Sequence, residues 1–367
     1  MNDLNKKKIL ISTGGTGGHV FPALSLGKFL SKNGFLVTIT TDERGYRFLK
    51  DLKKIELKII NSSPVLLNFI KFFVSLAKIL IAFFHSVLFL KKNKPKIIFG
   101  MGGYASFPVC LAGWLLRIPF IIYENNLHIG KANKYLLPYA KKVFVSYKEV
   151  EGISEQYHKK VCEIGNIIRK EILDFQVKFD SNQSDKKLKI LILGGSQAAR
   201  IFAEKLTEIF KDCHEAKIPL KIYQQCLPEQ NKFLTSFYEN LNIDFEIFNF
   251  TNNILDYFSK INLAITRSGS SMLAELINVK IPFIAVPLPS SADDHQLKNA
   301  IYYEKNGYSY LIEEKDLNEK LFQLIKKISE DKSLLSQIIS KQRQYSDKSV
   351  YENIDKQINK IINNEEH

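Results

Sequence analysis

The sequence predicts an α/β protein made of two Rossmann-like domains facing across a cleft. Three observations predict it. A short apolar run, Ile9-Leu10-Ile11, leads through Thr13-Gly14-Gly15-Thr16-Gly17-Gly18-His19 into Val20–Leu26, which repeats like a helix. The same succession returns as Leu188–Leu193, then Gly194-Gly195-Ser196-Gln197-Ala198-Ala199-Arg200 and a second helical stretch. At 367 residues the chain is long enough for two domains. Strand, glycine turn and helix together aim backbone N–H groups and a positive helix end at one spot. His19 falls where the first helix begins. A helix N-terminus disfavours imidazolium, so His19 is expected to be neutral near pH 7 and able to accept a proton. The turn is neither G-x-G-x-x-G nor a P-loop, and alone it equally describes a turn that packs strand on helix.

Composition places the chain among ordinary globular proteins, with 45% hydrophobic and 25% charged residues. The net charge of +14 is uneven. Residues 1–168 hold 25 Lys and Arg against 10 Asp and Glu, a net of +15; the rest hold 27 against 28, a net of −1. A Lys/Ile/Asn bias would affect both halves alike. The asymmetry points to an anionic partner for the first half: nucleic acid, a membrane surface or a phosphorylated substrate. Cys110, Cys162, Cys213 and Cys226 form no C-x-x-C and read as reduced, mostly buried thiols. Lys6-Lys7-Lys8 resembles a signal n-region, but the apolar run behind it ends at the glycines, so the expected compartment is the cytoplasm.

In chain order, Ile9–Ile11, Leu36–Thr40 and Leu57–Ile60 read as strands of βαβ units. Val65–Leu90 is the most apolar segment, interrupted by Lys71, Lys78 and His85 seven residues apart, with Asn68 and Ser75 in the same stripe. It predicts a helix or helix pair whose wide apolar face includes Phe69, Phe72, Phe73, Leu76, Leu80, Phe83 and Phe84. Residues 64–96 contain six lysines and no acid. An apolar face bordered by lysine suits a helix lying in an anionic membrane interface, while part of it packs on the sheet; the charges argue against a transmembrane span.

Ile97-Ile98-Phe99 and Ile118–Tyr123 are further strands, ending in Gly100-Met101-Gly102-Gly103-Tyr104-Ala105-Ser106 and in Glu124-Asn125-Asn126. Ligands of parallel sheets sit at such strand ends. Val143–Ser146 and Gly165–Arg169 follow, and Asp180–Lys187 reads as a surface loop just past a domain boundary. The second half adds strands near Lys221–Gln225, Phe245–Phe248 and Leu263–Thr266, then Arg267-Ser268-Gly269-Ser270-Ser271 opening a helix with Glu275 one turn in. Pro282–Pro287 encloses a short strand, Asp293–Ala300 starts the next helix, and residues 315–367 read as two polar helices. A helix start carrying Arg, Ser and Gly suits a diphosphate; an acid and an amide one turn away suit sugar hydroxyls. Glu275 is equally the acid that a helix dipole favours in a first turn. No metal-ligand spacing and no D-x-D motif is present.

Taken together, Gly14–His19, Gly100–Ser106, Glu124–Asn126, Gly165–Arg169, Gly194–Ala198, Arg267–Glu275 and His295–Ala300 resemble the MurG family, the UDP-N-acetylglucosamine:N-acetylmuramyl-(pentapeptide) pyrophosphoryl-undecaprenol N-acetylglucosamine transferases. The resemblance runs from about residue 8 to about residue 310. It implies a glycosyltransferase B fold. The acceptor domain would be 1–168, with a last helix of about 346–367 packing back onto it, and the UDP-GlcNAc domain 169–345. It implies inverting transfer of GlcNAc to the C4 hydroxyl of MurNAc in lipid I, giving lipid II for peptidoglycan, with no metal and no cofactor.

Carried over by position, Thr16, Gly17, Gly18, Asn126, Arg169, Ser196, Thr251, Ser270, Glu275 and Gln296 would contact the donor. His19, Gly103, Tyr104 and Ser106 would contact the acceptor diphosphate and the reaction centre, with His19 or Glu124 as the base. Phe73, Leu80, Phe83, Lys71 and Lys78 would face the membrane. Implied partners are UDP-GlcNAc, lipid I, an anionic membrane surface at the cytoplasmic face of the inner membrane and other cell-wall synthesis proteins, but no nucleic acid. Three positions depart from the family: Asn125 replaces Gln, Met272 replaces Thr, and Thr251 replaces Ile. Met272 cannot donate a hydroxyl hydrogen bond to a diphosphate. Two other readings stay open: a related transferase acting on another lipid such as diacylglycerol, and a membrane-docked sugar-nucleotide-binding subunit without activity.

Overall fold

The structure, a computed structural model, describes residues 7–15, 17–50, 52, 55–63, 69–175, 187–249, 251 and 253–362. Side chains of residues 69–71 and 195–199 are not among those described. The chain divides into two compact units, Met1–Lys170 with Asp347–His367, and Glu171–Ser346. The breaks fall one or two residues beyond the boundaries expected from sequence. The polar stretch 180–187 lies outside the described residues except for Lys187.

The first unit alternates strands and helices: β1 (Lys8–Ser12), α1 (Gly17–Lys32), β2 (Leu36–Thr41), α2 (Glu43–Leu49), β3 (Glu56–Ile59), α3 (Phe69–Asn93), β4 (Ile97–Gly100), α4 (Ser106–Leu115), β5 (Phe120–Glu124), α5 (Lys131–Leu136), β6 (Lys142–Val145) and β7 (Val161–Glu163). Its described strands form one parallel sheet in the order β3-β2-β1-β4-β5-β6-β7. Ile9, Leu10 and Ile11 are buried on both faces, paired to Val37–Ile39 on one side and Ile97–Phe99 on the other. That is why β1 and β4 read as unbroken apolar runs rather than alternating ones.

The second unit repeats the plan with β8 (Leu188–Leu193), β9 (Leu220–Gln225), β10 (Asp244–Phe248), β11 (Leu263–Thr266), β12 (Phe283–Ala285) and β13 (Tyr310–Leu311), ordered β10-β9-β8-β11-β12-β13 and again parallel. Helix Gly195–Glu215 covers one face with Phe202, Leu206, Ile209 and Phe210. In both sheets the strand order reverses once, between β1 and β4 and between β8 and β11. Ligand crevices of open parallel sheets form at such reversals.

Two expectations need correction. The described residues from 315 to 362 hold three α-helices rather than two: Leu317–Glu330, Ser333–Gln342 and Val350–Ile362. Asp331 takes an extended conformation, and its carboxylate accepts from the Ser333 N–H (2.9 Å), which ends one helix and starts the next. The last helix belongs to the first unit. Its lead-in residue Asp347 accepts from Asn166 N–H (2.8 Å), and Tyr351 donates its hydroxyl hydrogen to the Ile168 carbonyl (2.6 Å).

The second correction concerns α3. The stripe of Ser75 with the lysines is not one face: Ser75 is buried with Ala82, Ser86 and Leu90, while Lys78 and His85 are exposed. Three of these, Ser75, Ala82 and Ser86, are small, α3 packs along α4, and Ser86 turns its hydroxyl back onto the Ala82 carbonyl (2.6 Å). Small side chains let two helices approach closely, so the bulky residues are left outside. Phe84 and Leu88 are 61% and 68% exposed. Phe83 is half-buried against the core, because it sits three and four residues before the inward Ser86 and Val87.

Candidate active site

The β1 and β4 loops meet at the first reversal. Gly14 permits the closest approach: a Cβ there would come 2.4 Å from the Ala105 Cβ. Gly102 and Gly103 have φ of +87° and +74°, which side-chain-bearing residues rarely adopt. The ring of His19, in the first turn of α1, lies on them: Cβ atoms would meet its Cε1 at 3.0 Å and its Cδ2 at 3.4 Å. His19 Nδ1 is shut off from solvent. Ser106 begins α4 and donates its hydroxyl hydrogen to the Gly103 carbonyl (2.9 Å), fixing the turn on which the imidazole rests. Residues more than eighty positions apart in the chain thus share one surface, because β1 and β4 are neighbours.

Tyr104 donates to Asp42 Oδ2 (2.7 Å), and Asp42 Oδ1 accepts from Gly15 N–H (2.9 Å) and Gly45 N–H (2.9 Å). Asp42 and its neighbour Arg44 did not emerge from the sequence as site residues. The available signal was position: Asp42 directly follows a parallel strand, where both ligand-binding and helix-capping residues collect.

Glu124 ends β5 and is buried. Its Oε1 accepts from the backbone and side-chain N–H groups of Asn126 (both 3.1 Å), and its Oε2 from Gly130 N–H (2.9 Å) and Asn133 Nδ2 (3.0 Å). Four donors converging on one carboxylate hold the loop from 124 to 133 in shape. Asn133, also absent from the sequence reading, further donates to the Tyr123 carbonyl (2.9 Å). Asn125, one methylene shorter than the family's Gln, donates to the Gly18 carbonyl (3.1 Å). Proline at position 22 of α1 lacks the N–H that would ordinarily bond this carbonyl. The side-chain amide supplies a donor in its place and ties the β5 loop to the start of α1.

Of the remaining residues on this unit, Gly17 and Gly18 open α1, Arg169 is half-buried just ahead of helix Lys170–Asp174, and Thr16 lies outside the described residues.

In the second unit, the loop after β11 carries Arg267, Ser268 and Gly269 into helix Ser270–Asn278. Arg267 is buried. It donates through Nη1 to the Val286 and Pro287 carbonyls (3.3 and 3.1 Å), pairs through Nη2 with Glu314, and lies over the Phe202 ring (5.0 Å). It therefore braces the β11 and β12 loops. Ser270 and Glu275 are both buried, a turn and a half apart on the same helix. The Met272 N–H is committed to the Gly269 carbonyl (3.1 Å), so neither side chain nor backbone at this departure donates outward.

Gln296 stands in the first turn of helix His295–Lys305, and its Oε1 accepts from Leu288 N–H (3.0 Å). Ahead of it Asp293 and Asp294 both have positive φ, 51° and 54°, so that loop carries backbone strain. Thr251 accepts from Asn253 N–H through its hydroxyl (3.1 Å), a local turn that isoleucine could not make. Ser196 is in the first turn of helix Gly195–Glu215, its side chain outside the described set.

Each unit therefore places strand-end loops and a helix start at its own reversal point. Comparison with known proteins agrees with that architecture. The glycosyltransferase family 28 N-terminal domain matches residues 9–145 and the family 28 C-terminal domain residues 189–362. A Pelagibacter ubique protein named as the UDP-N-acetylglucosamine–N-acetylmuramyl-(pentapeptide) pyrophosphoryl-undecaprenol N-acetylglucosamine transferase is 38% identical over 86% of this chain and 86% of its own. A Rickettsia canadensis protein of the same name is 34% identical over 89% and 94%. The crystal structure of Acinetobacter baumannii MurG superposes with a TM-score of 0.78 at 28% identity, covering 97% of this chain and 99% of that one. With the glycosyltransferase B arrangement of two parallel-sheet domains, both family 28 domains and relatives of this similarity, the chain belongs to the MurG family of glycosyltransferases.

Proposed function

We propose that this protein transfers GlcNAc from UDP-GlcNAc to the C4 hydroxyl of MurNAc in lipid I, with inversion, producing lipid II. The observation that carries the reading is His19 at the meeting of two glycine loops. It presents a titratable ring beside backbone that a bulky diphosphate sugar can approach closely. His19 takes the hydroxyl proton as the new glycosidic bond forms, and the electrons of the breaking C1–O bond leave with UDP. Glu124, its oxygens taken by four donors, serves to shape the acceptor loop rather than to accept that proton. Ser270 at its helix start, Ser196 and Arg169 stabilise the departing diphosphate, and Glu275 and Gln296 hold donor hydroxyls. Incubating the protein with UDP-GlcNAc and a lipid I analogue should release UDP and form a disaccharide product. A diacylglycerol acceptor used in preference, or binding of UDP-GlcNAc without turnover, would replace this reading with one of the two alternatives.

The same reading places the protein at the cytoplasmic face of the inner membrane, held peripherally by α3. Among the described residues α3 is the one helix long and apolar enough to cross a membrane, an 18-residue stretch within Phe72–Asn93 having a mean hydropathy of 2.1. Most of that segment faces outward, and Trp114 and Leu115 at the end of α4 are exposed as well. Trp114 was missed in the sequence because a lone tryptophan has no period. Each lysine near an anionic leaflet adds about 1 kcal/mol, and a few buried apolar side chains add similar amounts. Reversible, salt-sensitive binding should result. Changing Lys71 and Lys78 to Glu, or Phe73, Leu80 and Phe84 to Ser, should abolish co-sedimentation with anionic vesicles and leave turnover of a short-chain soluble acceptor intact. Phe83 is left out of that set because it packs on the core. Equal binding to neutral and anionic vesicles by all variants would exclude α3 as the anchor.

A further inference from the structure

Beside the glycine loop of β1, one arginine is held unusually firmly for its exposure. Arg44 donates from Nε to Asp42 Oδ2 (3.4 Å) and from Nη2 to the Tyr104 hydroxyl, and its guanidinium lies over the Tyr104 ring, 5.1 Å from the centroid. Its Nη2 is the atom that a Cβ on Gly15 would meet, at 3.5 Å. Asp42 is itself fixed by the N–H groups of Gly15 and Gly45 and by Tyr104. Even so, the Arg44 side chain is 54% exposed.

An exposed ion pair adds little to stability, a small return for ordering Asp42 and Tyr104 around one guanidinium. A different consequence is larger. A guanidinium has five N–H donors in a planar fork, and the bonds to Asp42 and Tyr104 leave the others directed away from these partners. Its rotamer is fixed before any ligand arrives, so a ligand need not supply that ordering. Planar forked donors match phosphate oxygens.

We propose that Arg44 is a binding residue for the acceptor's diphosphate, with Asp42 and Tyr104 as the residues that position it. This rests on the reading of the protein as a transferase to a diphosphate-linked lipid. The ligand chemistry alone, a phosphate accepting two hydrogen bonds from a guanidinium, is shared by the acceptor, the UDP donor and an anionic lipid headgroup, so the test must separate them.

The test is steady-state kinetics on a short-chain, water-soluble lipid I analogue without vesicles, for wild type, Arg44→Ala, Arg44→Lys and Tyr104→Phe. Thermal melting of each variant checks the fold. Arg44→Ala should raise the acceptor KM about 10–100-fold, with kcat and the donor KM within about twofold of wild type. Arg44→Lys should fall between, since it keeps the charge and loses the fork. Tyr104→Phe should do the same, keeping the ring and losing the hydroxyl that orients Asp42. An analogue with a monophosphate in place of the diphosphate should bind weakly to wild type and be much less sensitive to Arg44→Ala.

An unchanged acceptor KM in Arg44→Ala, with wild type active, overturns the assignment of Arg44 alone. A rise in the donor KM of equal size assigns Arg44 to UDP instead. An effect seen only with anionic vesicles assigns it to the membrane, and a lowered melting temperature with both KM values raised assigns it to the fold. Absence of transfer by wild type overturns the transferase reading, and this proposal with it.

Discussion

Replacing His19 with alanine is expected to lower kcat by about 10²–10⁴ while the protein stays folded. The ring rests on Gly102 and Gly103 at contact distances that only two side-chain-free residues permit, so its position is set from below by the second glycine loop. Alanine leaves a gap over that loop but favours helix at the start of α1. A base removed from the transition state lowers kcat and kcat/KM together. A group that only bound the acceptor diphosphate would instead raise the acceptor KM with kcat preserved. Both constants measured on one soluble acceptor separate the roles, and an unchanged kcat removes His19 from the chemistry. Glutamine at position 124 supplies the complementary control. Glu124→Gln turns an acceptor oxygen into a donor facing other donors, so a large loss there accompanied by lower thermal stability reports the loop rather than the proton transfer.

Glu275→Ala is expected to reduce kcat/KM for UDP-GlcNAc by about 30–1000-fold, or roughly 2–4 kcal/mol of transition-state binding. Glu275 is only 6% exposed, one and a half turns into a helix whose start is formed by Gly269 and Ser270. Alanine is a better helix former than glutamate, so any lowering of stability should be small beside the kinetic effect. The acceptor KM should stay near the wild-type value, because the residue belongs to the second unit's reversal point and not to the first. A kcat/KM for UDP-GlcNAc near wild type would show that Glu275 does not contact the donor.

How far the sequence could be read depended on what each signal encodes. The Gly102-Gly103 and Gly14-Gly15 pairs were visible as loops because glycine marks unusual backbone wherever it occurs. That they touch was not visible, since contact requires knowing that β1 and β4 are neighbours. Asn125 looked like a shortened version of a family residue. Its value as a donor for the Gly18 carbonyl exists only because Pro22 stands four residues further along a helix from a different part of the chain. Asp42 and Arg44 carried no pattern at all and gained their significance from Tyr104, about sixty residues away.

Alone, the sequence determined much of the strand and helix succession ahead of residue 315, the duplication of strand, glycine turn and helix, the family, and the excess of positive charge in the first half. These are local or additive properties: apolar periodicity, backbone preference and residue counts survive without coordinates. Only the tertiary structure decided which face of α3 is inside. A period of 3.6 residues shows which side chains share a face but not which face meets the rest of the protein. The packing of α3 along α4 goes with Ser75, Ala82 and Ser86 inside and Phe84 and Leu88 outside. It likewise decided what each site residue bonds to. Glu124 became a loop anchor because four donors converge on it, and Arg44 became part of the site because Asp42 and Tyr104 hold it there. Hydrogen bonds of this kind join residues distant in the chain, and their geometry is fixed only when the sheet order brings the loops together.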